Sequence, residues 1–226
     1  MEYKNITEGR FVSRPNRFIA KVIIDDTEHT VHVKNTGRCR ELLIPGAKVY
    51  LEKSDNPLRK TQYDLVAVYK GDTLVNMDSQ APNKAVYEWL CAGGLISSPT
   101  LIRPEAKYGE SRLDFYVENE KEKAFVEVKG VTLESDGTAK FPDAPTERGR
   151  KHLGELIKAK RQGCRAAAVF VIQMKGCKCF VPNTERDPDF SKELNKAYEN
   201  GVEIIAVDCN VTPDSMNINE RIEVVL

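Results

Sequence analysis

No apolar run in this sequence approaches the roughly 20 residues that cross a bilayer; the longest, such as residues 166–172, are far shorter. A transmembrane helix is therefore excluded. The opening text, MEYKNITEGRFVSRPNRF, has no apolar core of signal-peptide length and no small-residue cleavage site, which predicts a cytoplasmic protein with no membrane partner. The six cysteines, at 39, 91, 164, 177, 179 and 209, include no C-x-x-C pair and no other zinc-like spacing. Reduced thiols are expected, and Cys177 and Cys179 read as packing residues. Net charge is missing too, because 34 Lys and Arg balance 34 Asp and Glu. Internal repeats and low-complexity segments are also absent.

What remains is a 226-residue chain that is 41% hydrophobic and 30% charged. That length admits one large or two small domains and buries enough surface to need no external staple. Residues 18–78 read as five short strands, at 18–24, 30–34, 47–52, 63–69 and 73–76. Turn formers separate them at Asp25-Asp26, residues 35–37, Pro45-Gly46, residues 55–57 and Gly71-Asp72. So many short strands hide their apolar face best in a small closed barrel, and an OB-like barrel fits the count. The pattern changes at SQAPN, residues 79–83, after which Ala85, Val86, Trp89 and Leu90 recur at helical spacing. Two domains are expected, 1–80 and 81–226. The second reads as helix 83–92, strands 112–118 and 123–129, helix 147–162, strand 165–172, helix 190–200 and strand 202–208, an alternating α/β arrangement. Helix 147–162 has a capping residue in Thr146, an acid in its first turn and Gly163 at its end.

Charge is uneven along the chain. Residues 1–60 carry 12 Lys and Arg against 8 Asp and Glu, and residues 148–165 carry 7 against 1. On a helix, Arg148, Arg150, Lys151, Lys158, Lys160 and Arg161, with Arg165 beyond it, form a stripe that either tracks phosphates or faces solvent.

The most informative stretch is SRLDFYVENEKEKAFVEVKG, residues 111–130. It alternates apolar and polar positions on either side of a charged turn and reads as a hairpin. With the turn centred between Glu120 and Lys121, Leu113 faces Val128, Phe115 faces Val126 and Val117 faces Ala124, giving one apolar face. Asp114 then lies opposite Glu127, with Lys129 on the same side. Like charges directly opposite destabilise a sheet, and a divalent cation removes the conflict; two carboxylates are a usual Mg2+ ligand set, and a neighbouring Lys can orient or deprotonate the attacking water. The competing reading is a solvent-facing surface neutralised by Lys129 and Lys123.

Asp114, then twelve residues, then Glu127-Val128-Lys129 resembles the PD-(D/E)XK nuclease motif, with Leu113 standing where Pro would precede the acid. The blocks NTGR at 35–38, KYGESRLDF at 107–115, VEVKGVTL at 126–133 and FPDAPTERGRKHL at 141–153, in that order, resemble the sugar fermentation stimulation protein A family over nearly the whole chain. The resemblance implies an OB-like barrel followed by a PD-(D/E)XK restriction-endonuclease-like α/β domain. It implies DNA binding without marked sequence preference and a link to sugar metabolism, maltose in particular. It maps Asp114 and Glu127 to ligands of Mg2+ or Mn2+, Lys129 to the catalytic lysine and Glu88 to the acid of the first helix. Arg148, Lys151 and His152, at the start of the basic helix, are candidate phosphate contacts, although His152 also fits a packed role. Arg14, Arg17 and Arg38 are candidates to extend a basic track over the barrel, with Phe11, Phe18 and Tyr63 as stacking or core residues.

Two functions follow: a metal-dependent nuclease, or a DNA-binding regulatory factor that keeps the fold without turnover. The partner in both is nucleic acid, with DNA favoured, and no protein partner is inferable. A helix-turn-helix over residues 191–210 is disfavoured, because residues 202–207 are rich in β-branched side chains and read as a buried strand.

Overall fold

Short strands punctuated by tight turns build the first part of the chain, and the computed structural model describes residues 1–226. Its strands are β1 (Ile6–Asn16), β2 (Ile19–Ile24), β3 (Thr27–Val33), β4 (Lys48–Lys53), β5 (Tyr63–Lys70) and β6 (Thr73–Asn76). They lie in the order β3-β2-β1-β4-β5-β6, and a parallel pairing of His32 with Asp64 and Val33 with Leu65 joins β3 to β5 and closes the barrel. Asp25 and Asp26, both at positive φ, make the two-residue turn between Ile24 and Thr27. Inward residues such as Ala20, Val22, Val31, Val49, Leu51 and Leu65 are fully buried.

The five barrel strands are not the five read from the sequence. β1 precedes them, and 73–76 is a hairpin extension of β5. β1 lies against β2 at Gly9, where a Cβ would stand 2.6 Å from Val22 and 2.9 Å from the Ile23 carbonyl. Only glycine allows that approach.

The rest of the chain is mixed α/β, comprising α1 (Ala81–Cys91), β7 (Leu101–Tyr108), β8 (Ser111–Glu118), β9 (Lys123–Val131), β10 (Leu133–Ser135), β11 (Thr138–Phe141), α2 (Glu147–Arg161), β12 (Arg165–Ile172), β13 (Cys179–Pro182), α3 (Pro188–Glu199), β14 (Glu203–Thr212) and β15 (Ser215–Val224). Nine strands form one sheet in the order β10-β11-β13-β15-β14-β12-β9-β8-β7. At its centre β9, β12 and β14 run parallel, and β12 is buried from Ala166 to Ile172, as expected of a parallel strand covered on both faces. By contact the chain divides into Met1–Ala81 with Gln173–Lys175 and Cys209–Asn217, and the remainder. No helix is long and apolar enough to cross a membrane. Residues 191–210 contain the end of α3 and the strand β14, so they form no helix-turn-helix.

Helix α2 packs on β9, β12 and α3. Thr146 caps it by accepting from the Gly149 amide at 3.0 Å, and Leu153 and Leu156 are buried beneath it. This packing brings the first turns of α2 over the hairpin.

Candidate active site

The hairpin register follows the alternation. Phe115 pairs with Val126, Val117 with Ala124 and Glu118 with Lys123, and Leu113, Phe115, Val117, Ala124, Val126 and Val128 are all buried. The ladder opens at Asp114. There the Val128 amide donates at 2.7 Å to Asp114 Oδ2 instead of to a backbone carbonyl. On the other side of β8, the pairing with β7 steps from Pro104–Phe115 to Ala106–Leu113, and the intervening Glu105 has φ +49°. A non-glycine residue in this region carries strain, a feature that clusters at functional sites. Asp114 thus sits at a local break in both ladders of its strand.

The face bearing Asp114 and Glu127 is covered at Glu127 and half-buried at Asp114. Glu127 is 2% exposed, because α2 lies over it. Glu127 Oε1 accepts from both Lys129 Nζ and His152 Nδ1, whereas Oε2 is buried with no hydrogen-bond partner. Burial opposes ionisation of Glu127, but His152 and Lys129 outweigh it and hold the carboxyl below the usual range. For Asp114 burial and then the charge of Glu127 push the carboxyl up, against the opposing amide of Val128 and side chain of Asn83.

No third His, Cys, Asp or Glu joins the pair in a ligand cluster. The donors present are hard carboxylate oxygens, one of them buried and unpartnered. That set fits Mg2+ or Mn2+, whose remaining positions are commonly filled by water and phosphate oxygens.

The other sequence candidates divide. In α1 the residue brought to the acids is Asn83, which donates to Asp114 Oδ1 at 2.9 Å. Glu88 is exposed, five residues on and so about 140° around the helix from it. Nothing in the apolar periodicity marked Asn83, which lies in the segment read as a domain boundary. His152 is 5% exposed and its Nδ1 bonds Glu127, so it is a buried partner of the acid and not a phosphate contact. Arg148 and Lys151 are exposed on the first turns of α2, while Arg150 is held by Asp187 at 3.0 Å, Lys158 by Glu155 and Arg165 by Glu203 and Glu122. In the barrel Arg17 and Arg38 are exposed. Arg14 spends its guanidinium on the carbonyls of Arg17, Asn35, Gly37 and Arg38 and is a structural clamp, not a free cation. Phe11 is core, Tyr63 is half-buried against His29, and Phe18 is exposed with Arg17 above its ring.

A closed OB barrel followed by an α/β domain with an acid-bearing hairpin under a basic helix defines a two-domain architecture of the kind the sequence blocks suggested. The family models agree: "SfsA N-terminal OB domain" matches residues 12–77 and "Sugar fermentation stimulation protein RE domain" matches residues 80–215. The chain belongs to the sugar fermentation stimulation protein family. It is 57% identical to the sugar fermentation stimulation protein homolog of Clostridium beijerinckii over 226 residues, covering all of both chains. It is 54% identical to that of Ruminiclostridium cellulolyticum, over 99% of each. Among solved structures, Pyrococcus furiosus SfsA in complex with Ca2+ superposes with a TM-score of 0.90 at 31% identity, covering 100% of this chain and 98% of that one.

Proposed function

We propose that this protein is a DNA-binding, divalent-cation-dependent nuclease of the cytoplasm, with Asp114 and Glu127 holding Mg2+ or Mn2+. The observation that carries the reading is the like-charged pair of buried Glu127, whose Oε2 has no partner, and half-buried Asp114, pushed towards its neutral form by burial and by Glu127. A cation there relieves both and, when bound, polarises the phosphate and lowers the pKa of water. Lys129, whose ammonium already sits on Glu127 Oε1, is placed to orient the attacking water. The water oxygen bonds to phosphorus, its proton passes to solvent, and the ester oxygen leaves and is protonated, giving a phosphate monoester and a hydroxyl. Arg148 and Lys151, exposed where α2 begins, supply phosphate contacts beside the partial positive charge of the helix terminus. The Ca2+ in the Pyrococcus furiosus relative supports a divalent ion in this fold.

A second reading is a non-catalytic DNA-binding factor regulating sugar (maltose) metabolism; the names of the relatives, sugar fermentation stimulation protein homologs, favour its link to sugar. Labelled single-stranded and duplex DNA and RNA, incubated with Mg2+, Mn2+ or EDTA, separate the two. Cleavage that requires metal and is lost in both Glu127→Ala and Lys129→Ala is the expected result. Binding without cleavage, unchanged in both variants, would establish the regulatory factor instead.

A further inference from the structure

The two oxygens of Glu127 are treated unequally. Oε1 receives two donors, Lys129 Nζ and His152 Nδ1, and Oε2, which is buried, receives none. The two donors also differ in kind. Lys129 is a flexible chain with a compact, mobile charge, which the reading above also gives to the attacking water. His152 is a short, flat side chain on a helix that is fixed at several points. The Thr146 cap sets the start of α2. Gly149 lies so close to its surroundings that a Cβ would stand 2.8 Å from Thr146 and 3.2 Å from Phe190. Leu153 and Leu156 are buried on either side of the next turn, and Arg148 Nε reaches the far ring nitrogen, Nε2, at 3.5 Å. The ring can therefore neither retreat from Glu127 nor reach a phosphate.

We propose that His152 is a positioning residue for the metal ligand Glu127: its Nδ1–H holds Oε1 so that Oε2 stays presented to a divalent cation when Lys129 moves to the water. The assignment rests on the metal-dependent reading above. It parallels the general behaviour of ligating carboxylates, which are themselves hydrogen-bonded and lose affinity when that support is removed.

The test is Mn2+ affinity of the full chain, by titration calorimetry or the electron paramagnetic resonance of free Mn2+, with thermal melting recorded for each variant. In His152→Asn the amide nitrogen falls where Nδ1 stood, so Mn2+ binding is expected to stay close to that of the unsubstituted protein. In His152→Gln the nitrogen falls near Nε2, away from Glu127, and in His152→Leu it is gone. Both are expected to bind Mn2+ about 10- to 100-fold more weakly. Asn and Gln alone decide the matter if the Leu variant does not fold. Equal affinity in all three, or equal loss in Asn and Gln with unchanged melting, overturns the proposal, since bulk or ring packing would then be the role of His152. If the unsubstituted protein binds Mn2+ no better than Glu127→Gln, the metal reading itself fails and the positioning role falls with it. That outcome is distinct, because it does not depend on residue 152.

Discussion

Arg14 and Arg38 carry the same charge and stand in the same basic segment, yet their surroundings give them opposite work. Arg14 reaches four backbone carbonyls of the turn that follows β3 and of the residue before Phe18. The turn is also stitched by Asn35, which accepts from the Gly37 amide and donates to the Met77 carbonyl. Arg38 projects from that turn into solvent. Charge-assisted hydrogen bonds lost together in a partly buried setting cost about 2–3 kcal/mol. Arg14→Ala is therefore expected to lower the urea midpoint with an unchanged slope. Arg38→Ala, a surface change, should move stability by less than about 0.5 kcal/mol while weakening DNA binding. An Arg14→Ala protein as stable as the parent would show that the turn holds itself. Sequence cannot separate the two arginines, because the difference lies in which one the barrel folds carbonyls around. Asp114, Glu127 and Lys129 were legible for the converse reason: a strict two-residue period fixes the face of each side chain once the turn is placed. His152 was ambiguous, since helical periodicity places it beside apolar neighbours but cannot say that a carboxylate waits beneath.

At the scale of elements, strands were readable where burial alternates or runs unbroken, and unreadable where little of the strand is buried. β8 shows the alternating pattern and β12 a continuous apolar one. β1 buries only Gly9 and Phe11, and β7, an edge strand with Pro104 in it, buries only Ala106. An edge strand tolerates proline and needs no apolar face, which hid β7; β1 lies inside its sheet, between β2 and β4, but two buried positions are too few to show an alternation, and the short β10, β11 and β13 gave no signal either. Helix ends were better marked, and one acid serves two of them. Asp187 caps α3 through the Phe190 amide at 2.9 Å, accepts from the Thr146 amide at 2.8 Å and pairs with Arg150 on α2. Burial opposes its ionisation, but those two amides and Arg150 outweigh it and hold the carboxyl below its ordinary value. A depressed folded pKa means that the stabilisation is complete above the unfolded value of about 4. It is lost as the pH falls through the lower, folded value. Urea midpoints measured from pH 7 to pH 2 should fall more steeply below pH 4 (about the unfolded Asp value) for the parent than for Asp187→Asn, which keeps a capping oxygen without the charge. Parallel curves would remove Asp187 from the acid response. Asp187→Ala, with the cap gone as well, is expected to cost about 1–2 kcal/mol at neutral pH.

For the whole molecule, zero net charge means that any hold on nucleic acid comes from local cations, and the ion pairs decide how many are at hand. Arg150, Lys158 and Arg165 have carboxylate partners, and Arg14 is committed to carbonyls. Arg148 and Lys151 on the helix, with Arg17 and Arg38 on the barrel, are exposed. Each phosphate neutralised on a duplex lowers the slope of log K against log salt by about 0.9, so engagement of all four predicts a slope of about −3.6. Equilibrium binding to an unlabelled-sequence duplex series in EDTA, titrated with KCl, reads this directly. Arg148→Ala and Lys151→Ala should each make the slope shallower by about one and weaken binding alike on unrelated sequences. A slope near zero would remove phosphate contact as the basis of binding. A slope near twice the expected value would show instead that paired arginines leave their carboxylates on binding. In that case acidification or charge-neutral variants of Asp187 and Glu203 should tighten the complex, because the cost of breaking the internal pairs would have been removed beforehand.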